Sequence, residues 1–246
     1  MNQFSRIQLD VRHPQAKQAL LLAQTADAYA EHQWLWRFFP AEPGAPRTFL
    51  HRRCEPVAAG EPAQIYVVSQ RPPEAPHPAW RIESRPYQPQ LRVGDRLRFE
   101  LRVNPVRSQT DAAGKLRRHD VVMQAKKRLL AEHGVAQWKD LPESVRPALY
   151  DLVQGEVSDW FVGNDAQPGL AARHGFRAFA DSLRVDAYRQ HRFHRKGGDK
   201  PIALSTVDLS GRLQVIDPER AVAALLAGMG HAKAFGCGLL LVRREE

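Results

Sequence analysis

Tyr29 and His32 stand three residues apart in the stretch YAEHQWLWRFFP (29–40). On a helix that spacing puts both side chains on one face. An imidazole titrates at about pH 6.5, so His32 is the type of residue that moves protons under ordinary conditions. Arg37 lies five residues further on, about 140° round the helix, and needs its long side chain to reach the same point. A second group of interest closes the chain. In GMGHAKAFGCG (228–238), Gly228, Gly230, Gly236 and Gly238 surround Lys233 and His231. Each glycine costs about 0.5–1 kcal/mol relative to alanine, so such a cluster marks a sharp backbone path or a close approach by a ligand. It is not a nucleotide loop. Those loops follow a strand and open a helix, with the helix N-terminus toward the phosphate, whereas here a helix comes first and the apolar run LLLV follows.

Each of these residues also has a plain structural reading. His32 can be an ordinary histidine on an amphipathic helix, and Tyr29 a core residue with its hydroxyl at the rim. The glycines can serve a tight connection that needs positive φ. Two spacings hint at metal, His51-x-x-Cys54 and His191-x-x-His194. Each supplies two ligands where a structural zinc site wants four, so no metal and no cofactor is expected. Neither H-E-x-x-H nor G-x-S-x-G occurs.

The 246 residues carry a formal net charge of +9. Such a surplus suits an anionic partner, nucleic acid first, although solubility alone would also account for it. An apolar fraction of 43% supports a folded core. The two cysteines, Cys54 and Cys237, give no disulfide framework and fit a reducing interior. No apolar run reaches the 18 residues of a membrane span, and the N-terminus MNQFSRIQLD lacks the apolar region of a signal peptide. The expectation is a soluble, cytoplasmic protein.

Phe4, Ile7, Leu9 and Val11 suggest a first strand, followed by one helix or two before Pro40, with Thr25 or Asp27 as an internal cap. RTFLHRRCE and AQIYVVSQR read as strands. RPPEAPHPAW, with four prolines in ten residues, cannot be a normal helix. A turn-rich junction at 88–95 sets the expected boundary between domains 1–90 and 91–246. Beyond it RLRFELRVNPVR alternates cleanly, with Leu97, Phe99, Leu101 and Val103 on one face. SQTDAAGKLRRHD reads as a polar loop, 121–133 and 141–173 as mostly helical, and FRAFADSLRVDAYRQHRFHRK (176–196) and PIALSTVDLSGRLQVID (201–217) as strands joined at GGD. Asp217, Pro218 and Glu219 start a helix that Gly228 ends. The second half thus runs β, α, β, β, α, β, and the first half repeats that order without its second helix. The predicted architecture is α+β: two ferredoxin-like (βαββαβ, RAMP-type) domains in tandem, the first degenerate.

Four passages carry a resemblance to a known family. They are YAEHQWLWRFFP with its Tyr-x-x-His pair, LRVGDRLRFELRVNPVR with its Arg-x-Asn-Pro ending, GRLQVIDPERAVAALLAGMG, and GHAKAFGCGLLLV. Their order and spacing resemble the CRISPR-associated endoribonuclease CasE, which processes the repeat transcript in type I-E Cascade systems. The departure is a helical insertion at about 124–156 in the second domain. The resemblance implies tandem ferredoxin-like domains and metal-independent RNA cleavage, with a 2′-hydroxyl attacking the adjacent phosphate to leave a 2′,3′-cyclic phosphate and a 5′-hydroxyl. It implies His32 as general base or acid, Tyr29 as its orienting or phosphate-contacting partner, Lys233 as a phosphate ligand and Arg37 as a weaker addition. His231 ranks as a loop residue. The implied partners are a CRISPR repeat hairpin and other Cascade subunits, with no membrane and no small-molecule cofactor.

RNA would be gripped by the basic hairpin RVDAYRQHRFHRKGGDK, through Arg189, Arg192, Arg195 and Lys196, with Tyr188 and Phe193 interleaved. Arg102 on the alternating strand and the four loop glycines are further candidates for RNA contact. A-form RNA hides its major groove from side chains, so phosphate contacts should dominate. The alternative for each is a solvated surface strand. Two other functions stay open, a non-catalytic hairpin-binding subunit of the same fold and a single-strand binder of the RNA-recognition type. The latter should carry an aromatic K/R-G-F/Y-G/A-F-V-x-F/Y run, which is absent.

Overall fold

The computed structural model describes residues 1–23, 28–42, 44–56, 61–111, 113–164, 167–194 and 201–245. The chain forms two compact units. The first is Met1–Gln90 with Arg192–Ala203 and Val222–Leu240; the second is Leu91–His191 with Leu204–Ala221 and Leu241–Glu246. The segment bearing the glycine loop therefore packs with the N-terminal residues.

In the first unit β1 (Gln3–Leu9) is followed by helices α1 (Ala16–Ala23) and α2 (Ala28–Leu35), then β2 (Phe49–Cys54), β3 (Gln64–Ser69) and β4 (Trp80–Pro86). The antiparallel sheet runs β2-β3-β1-β4, the ferredoxin-like order. Ile7 pairs with Ile65 on one side and Ile82 on the other. The first strand is shorter than its apolar pattern suggests. Ile7 and Leu9 face the core, but Val11 lies beyond the strand and is exposed. Phe4 points the other way and packs on Tyr66 and Tyr87, at ring-centroid distances of 5.7 and 5.4 Å. The candidate caps Thr25 and Asp27 lie outside the described residues. The proline-rich segment before β4 forms no helix, as its composition requires. The core gathers Trp34, Leu35, Phe38 and Phe39 against Phe49, Val67 and Trp80.

In the second unit β5 (Arg96–Val103) buries Leu97, Phe99, Leu101 and Val103, and pairs with β10 (Pro201–Val215) through Leu97↔Leu213 and Leu101↔Leu209. The sheet runs β11-β5-β10-β8, with β8 Phe176–Ala178 and β11 Leu240–Arg244, while β9 (Arg184–His194) also pairs with β10. This is again the ferredoxin-like order. Between β5 and β8 lie β6 (Val106–Thr110), β7 (Leu116–Asp120), α3 (Val121–Glu132), α4 (Leu149–Val162) and α5 (Leu170–Arg173). The stretch read as a polar loop is thus largely a β6–β7 hairpin. It escapes pattern reading because most of its side chains are in water, so no apolar face alternates. Its turn is built by Asp111, whose carboxylate accepts from the Ala113 and Lys115 amides. The stretch 124–156 falls across α3 and α4, and α4 runs on past it to lay Phe161 on Phe99 of β5, with ring centroids 5.4 Å apart. The last helix, α6 (Pro218–Ala227), is capped as expected, Asp217 Oδ1 accepting from the Arg220 amide at 3.1 Å.

Candidate active site

The site lies wholly within the first unit and grows out of α2. Trp34 and Leu35 sink into the core and fix the helix on the sheet. His32 is left half-buried in an aromatic surround. Its ring centroid lies 6.2 Å from Trp36, 6.5 Å from Phe49 and 6.4 Å from Phe235. The Trp36 indole N–H, one helical turn on, donates to His32 Nε2 at 3.2 Å. A nitrogen that accepts carries no proton, so the neutral ring holds its hydrogen on Nδ1. That Nδ1 is buried without a hydrogen-bond partner among the described residues. Burial, then the charges of His51 and Arg47, push His32 down to about 4 from its ordinary 6.5. The imidazole is therefore neutral at neutral pH, with its basic lone pair held by an indole.

The glycine loop passes beside this ring. Gly228, Gly230, Gly236 and Gly238 all have positive φ, at 77, 72, 75 and 89°. Ala232 shares that conformation at φ 57°. The neck of the loop is closed by the Met229 amide donating to the Gly238 carbonyl at 2.9 Å. A Cβ on Gly238 would stand 2.7 Å from the Met229 carbonyl oxygen, and one on Gly228 3.0 Å from the Gly238 oxygen. Backbone geometry alone thus explains the glycines. What it achieves is placement of Phe235 against His32 and of Lys233 next door. Arg47 Nη1 donates to the Lys233 carbonyl at 2.6 Å, bringing a second cation into the cluster. The Lys233 ammonium caps the end of α6 by donating to the Ala227 carbonyl at 2.8 Å. Burial first, then Arg47, lowers its pKa. Tyr29 stacks on Phe193 at 6.3 Å and 18°, and Phe193 meets Phe235 at 5.1 Å. Rings thus link Tyr29 through Phe193 and Phe235 to His32.

Of the expected catalytic set, Tyr29 and His32 share one ring cluster with Phe193 and Phe235, and Lys233 lies two residues before Phe235 with its ammonium turned to the Ala227 carbonyl. Arg37 is exposed on the turn after α2, with no hydrogen bond or ion pair to this cluster among the described residues. Arg189 and Arg192 are exposed on β9, while Arg195 and Lys196 lie outside the described residues. Arg102 is engaged by Asp208 in a two-pronged ion pair, at 2.8 and 2.9 Å. Tyr188 donates to Asp120 at 3.1 Å, and burial first, with that carboxylate's charge, pushes its hydroxyl up to about 12. His231 is half-buried in the loop. Among the described residues no three His, Cys, Asp or Glu side chains cluster to hold an ion. Sequence reasoning missed Trp36, Arg47, Phe49 and Phe235. Only Trp36 left a signal, four residues from His32 on the same helix.

A family described as CRISPR associated protein matches residues 4–244. The chain belongs to that family. It is 27% identical over 228 residues to the CRISPR-associated endoribonuclease Cse3 of Thermus thermophilus, covering 88% of this chain and 90% of that protein. It is 25% identical over 225 residues to the Cascade subunit CasE of Escherichia coli, covering 92% and 96%. Among solved structures, a Cse3 endoribonuclease bound to a 19-nucleotide RNA is 25% identical, covers 98% of both chains and superposes with a TM-score of 0.61. The tandem ferredoxin-like architecture is shared with these neighbours. Among the described residues no helix is long and apolar enough to cross a membrane.

Proposed function

We propose that this protein is a metal-independent endoribonuclease of the cytoplasm that cuts CRISPR repeat transcripts beside a stem-loop and stays on the product RNA as a Cascade subunit. The observation that carries the reading is the seat of His32 against Phe235 of the glycine loop that also bears Lys233 and is tied to Arg47. The similar Cse3 and CasE, named as an endoribonuclease and a Cascade subunit, support it. In the reaction the 2′-oxygen attacks phosphorus as the P–O5′ bond breaks, giving a cyclic phosphate and a 5′-hydroxyl. One proton leaves the 2′-hydroxyl and one is delivered to the departing 5′-oxygen. His32 enters neutral, so its first task is to accept the 2′ proton at Nε2, once the substrate replaces the Trp36 hydrogen bond. Lys233 and Arg47 oppose the charge that builds on the phosphoryl oxygens. Tyr29, fixed by its stack on Phe193, orients the phosphate. The exposed Arg189 and Arg192 take stem phosphates.

The test is incubation of the pure protein with repeat RNA in EDTA. Cleavage should proceed, and His32→Ala should slow it by about 10²–10⁴-fold. Binding without cleavage, indifferent to His32→Ala, would leave a hairpin-binding subunit in place of a nuclease.

A further inference from the structure

His51 belongs to a sequence pair that the function above does not use, and its surroundings are unusual. The side chain on β2 is fully buried, and neither ring nitrogen meets a hydrogen-bond partner of good geometry among the described residues. Its Nε2 faces Glu31 Oε1 of α2 at 3.4 Å, with Arg53 Nη1 3.8 Å from the other carboxylate oxygen. The glycine loop covers it: a methyl on Gly236 would sit 3.4 Å from the same Nε2. His51 and His32 both contact the Phe49 ring, at 6.3 and 6.5 Å. The buried imidazole is thus wedged between the helix that carries His32 and the loop that carries Lys233. A buried charge without a partner is costly, so a proton on His51 is tolerable only because the Glu31 carboxylate is there to receive it.

We propose that Glu31 and His51 form a buried charge couple that positions the glycine loop and sets the charge state of His32. Resting on the nuclease reading, this makes His51 a positioning residue that never touches RNA. When His51 is protonated, its charge opposes a second proton on His32 and keeps that ring a base. The other charged groups around the pair are Arg47 before β2, Arg53 on it, and Lys233 in the loop; all are cationic and act in the same sense. Glu31 is the carboxylate that opposes them.

The experiment is an NMR titration of the full-length protein labelled at the histidine ring carbons, with His32 assigned by its loss in His32→Gln. His51→Phe keeps the ring volume and removes the charge, and should raise the His32 midpoint by roughly 0.5–1 pH unit. His51→Gln should do the same and serves if the phenylalanine variant folds poorly. In a Glu31→Gln background the buried imidazole has lost its counter-charge, so His51→Phe should move His32 by less than half as much. Leu50→Ala, which loosens the neighbouring contact with Gly228, should leave the midpoint in place. The proposal is overturned if His32 does not move in either His51 variant, or moves equally with and without Glu31. Because this reads the free protein, a failure of RNA cleavage would leave the result standing. Where cleavage is present, its pH profile should shift in the same direction.

Discussion

Gly238→Ala isolates what the glycine loop demands. Gly238 has φ 89° and a Cβ position 2.7 Å from the Met229 carbonyl oxygen, a backbone atom that cannot swing aside. Gly44 of the same unit has φ 85° and nothing within 4 Å of its Cβ position. Alanine at either site meets the same left-handed penalty of about 1–2 kcal/mol and the same loss of unfolded-state freedom. Only Gly238→Ala adds the overlap, about 1–2 kcal/mol, and weakens the Met229–Gly238 hydrogen bond, about 1 kcal/mol. Urea unfolding followed by tryptophan fluorescence should place Gly238→Ala about 2–3 kcal/mol below Gly44→Ala, a large share of a typical domain's stability. The loop also positions Phe235 and Lys233, so single-turnover RNA cleavage should fall in Gly238→Ala and hold in Gly44→Ala. Equal destabilisation by the two variants would refute the crowding argument.

Three further outcomes are expected. His32 is held at about 4 against 6.5 in the unfolded chain, so the unfolded state binds its proton first as pH falls. Its contribution is whole above pH 6.5 and drains away toward pH 4, by about 2 kcal/mol for this half-buried ring; His32→Gln should flatten that part of the stability profile. The Trp36 indole stabilises the unprotonated Nε2, so Trp36→Phe should raise the His32 midpoint in an NMR titration, and an unchanged midpoint would show that the hydrogen bond is not made in solution. Arg189→Ala and Arg192→Ala should each reduce the salt dependence of repeat-RNA binding by about one ion without altering the cleavage rate of bound RNA, as filter binding across salt concentrations would show.

The local chemistry of this chain was decided by its sequence. Asp217 and Pro218 begin α6 because a carboxylate can cap free amides and proline has no amide to lose; Gly228 ends it because alanine cannot take φ 77° cheaply. Leu97, Phe99, Leu101 and Val103 announce β5 because a strand sends alternate side chains to one face. The β6–β7 hairpin gave no such sign, since a ribbon in water needs no apolar face. The Tyr29 and His32 pairing was legible because helical spacing is local. What only tertiary structure decided is the company those residues keep. Arg47 reaches the carbonyl of Lys233 across 186 residues of chain, and His51 meets Glu31 only because β2 packs under α2. Spacing carries no information over such separations. Nor could it show that His32 is held below its ordinary pKa: that follows from burial and from His51 and Arg47, contributed by β2 and the segment before it, which come together only once the first unit has closed its core.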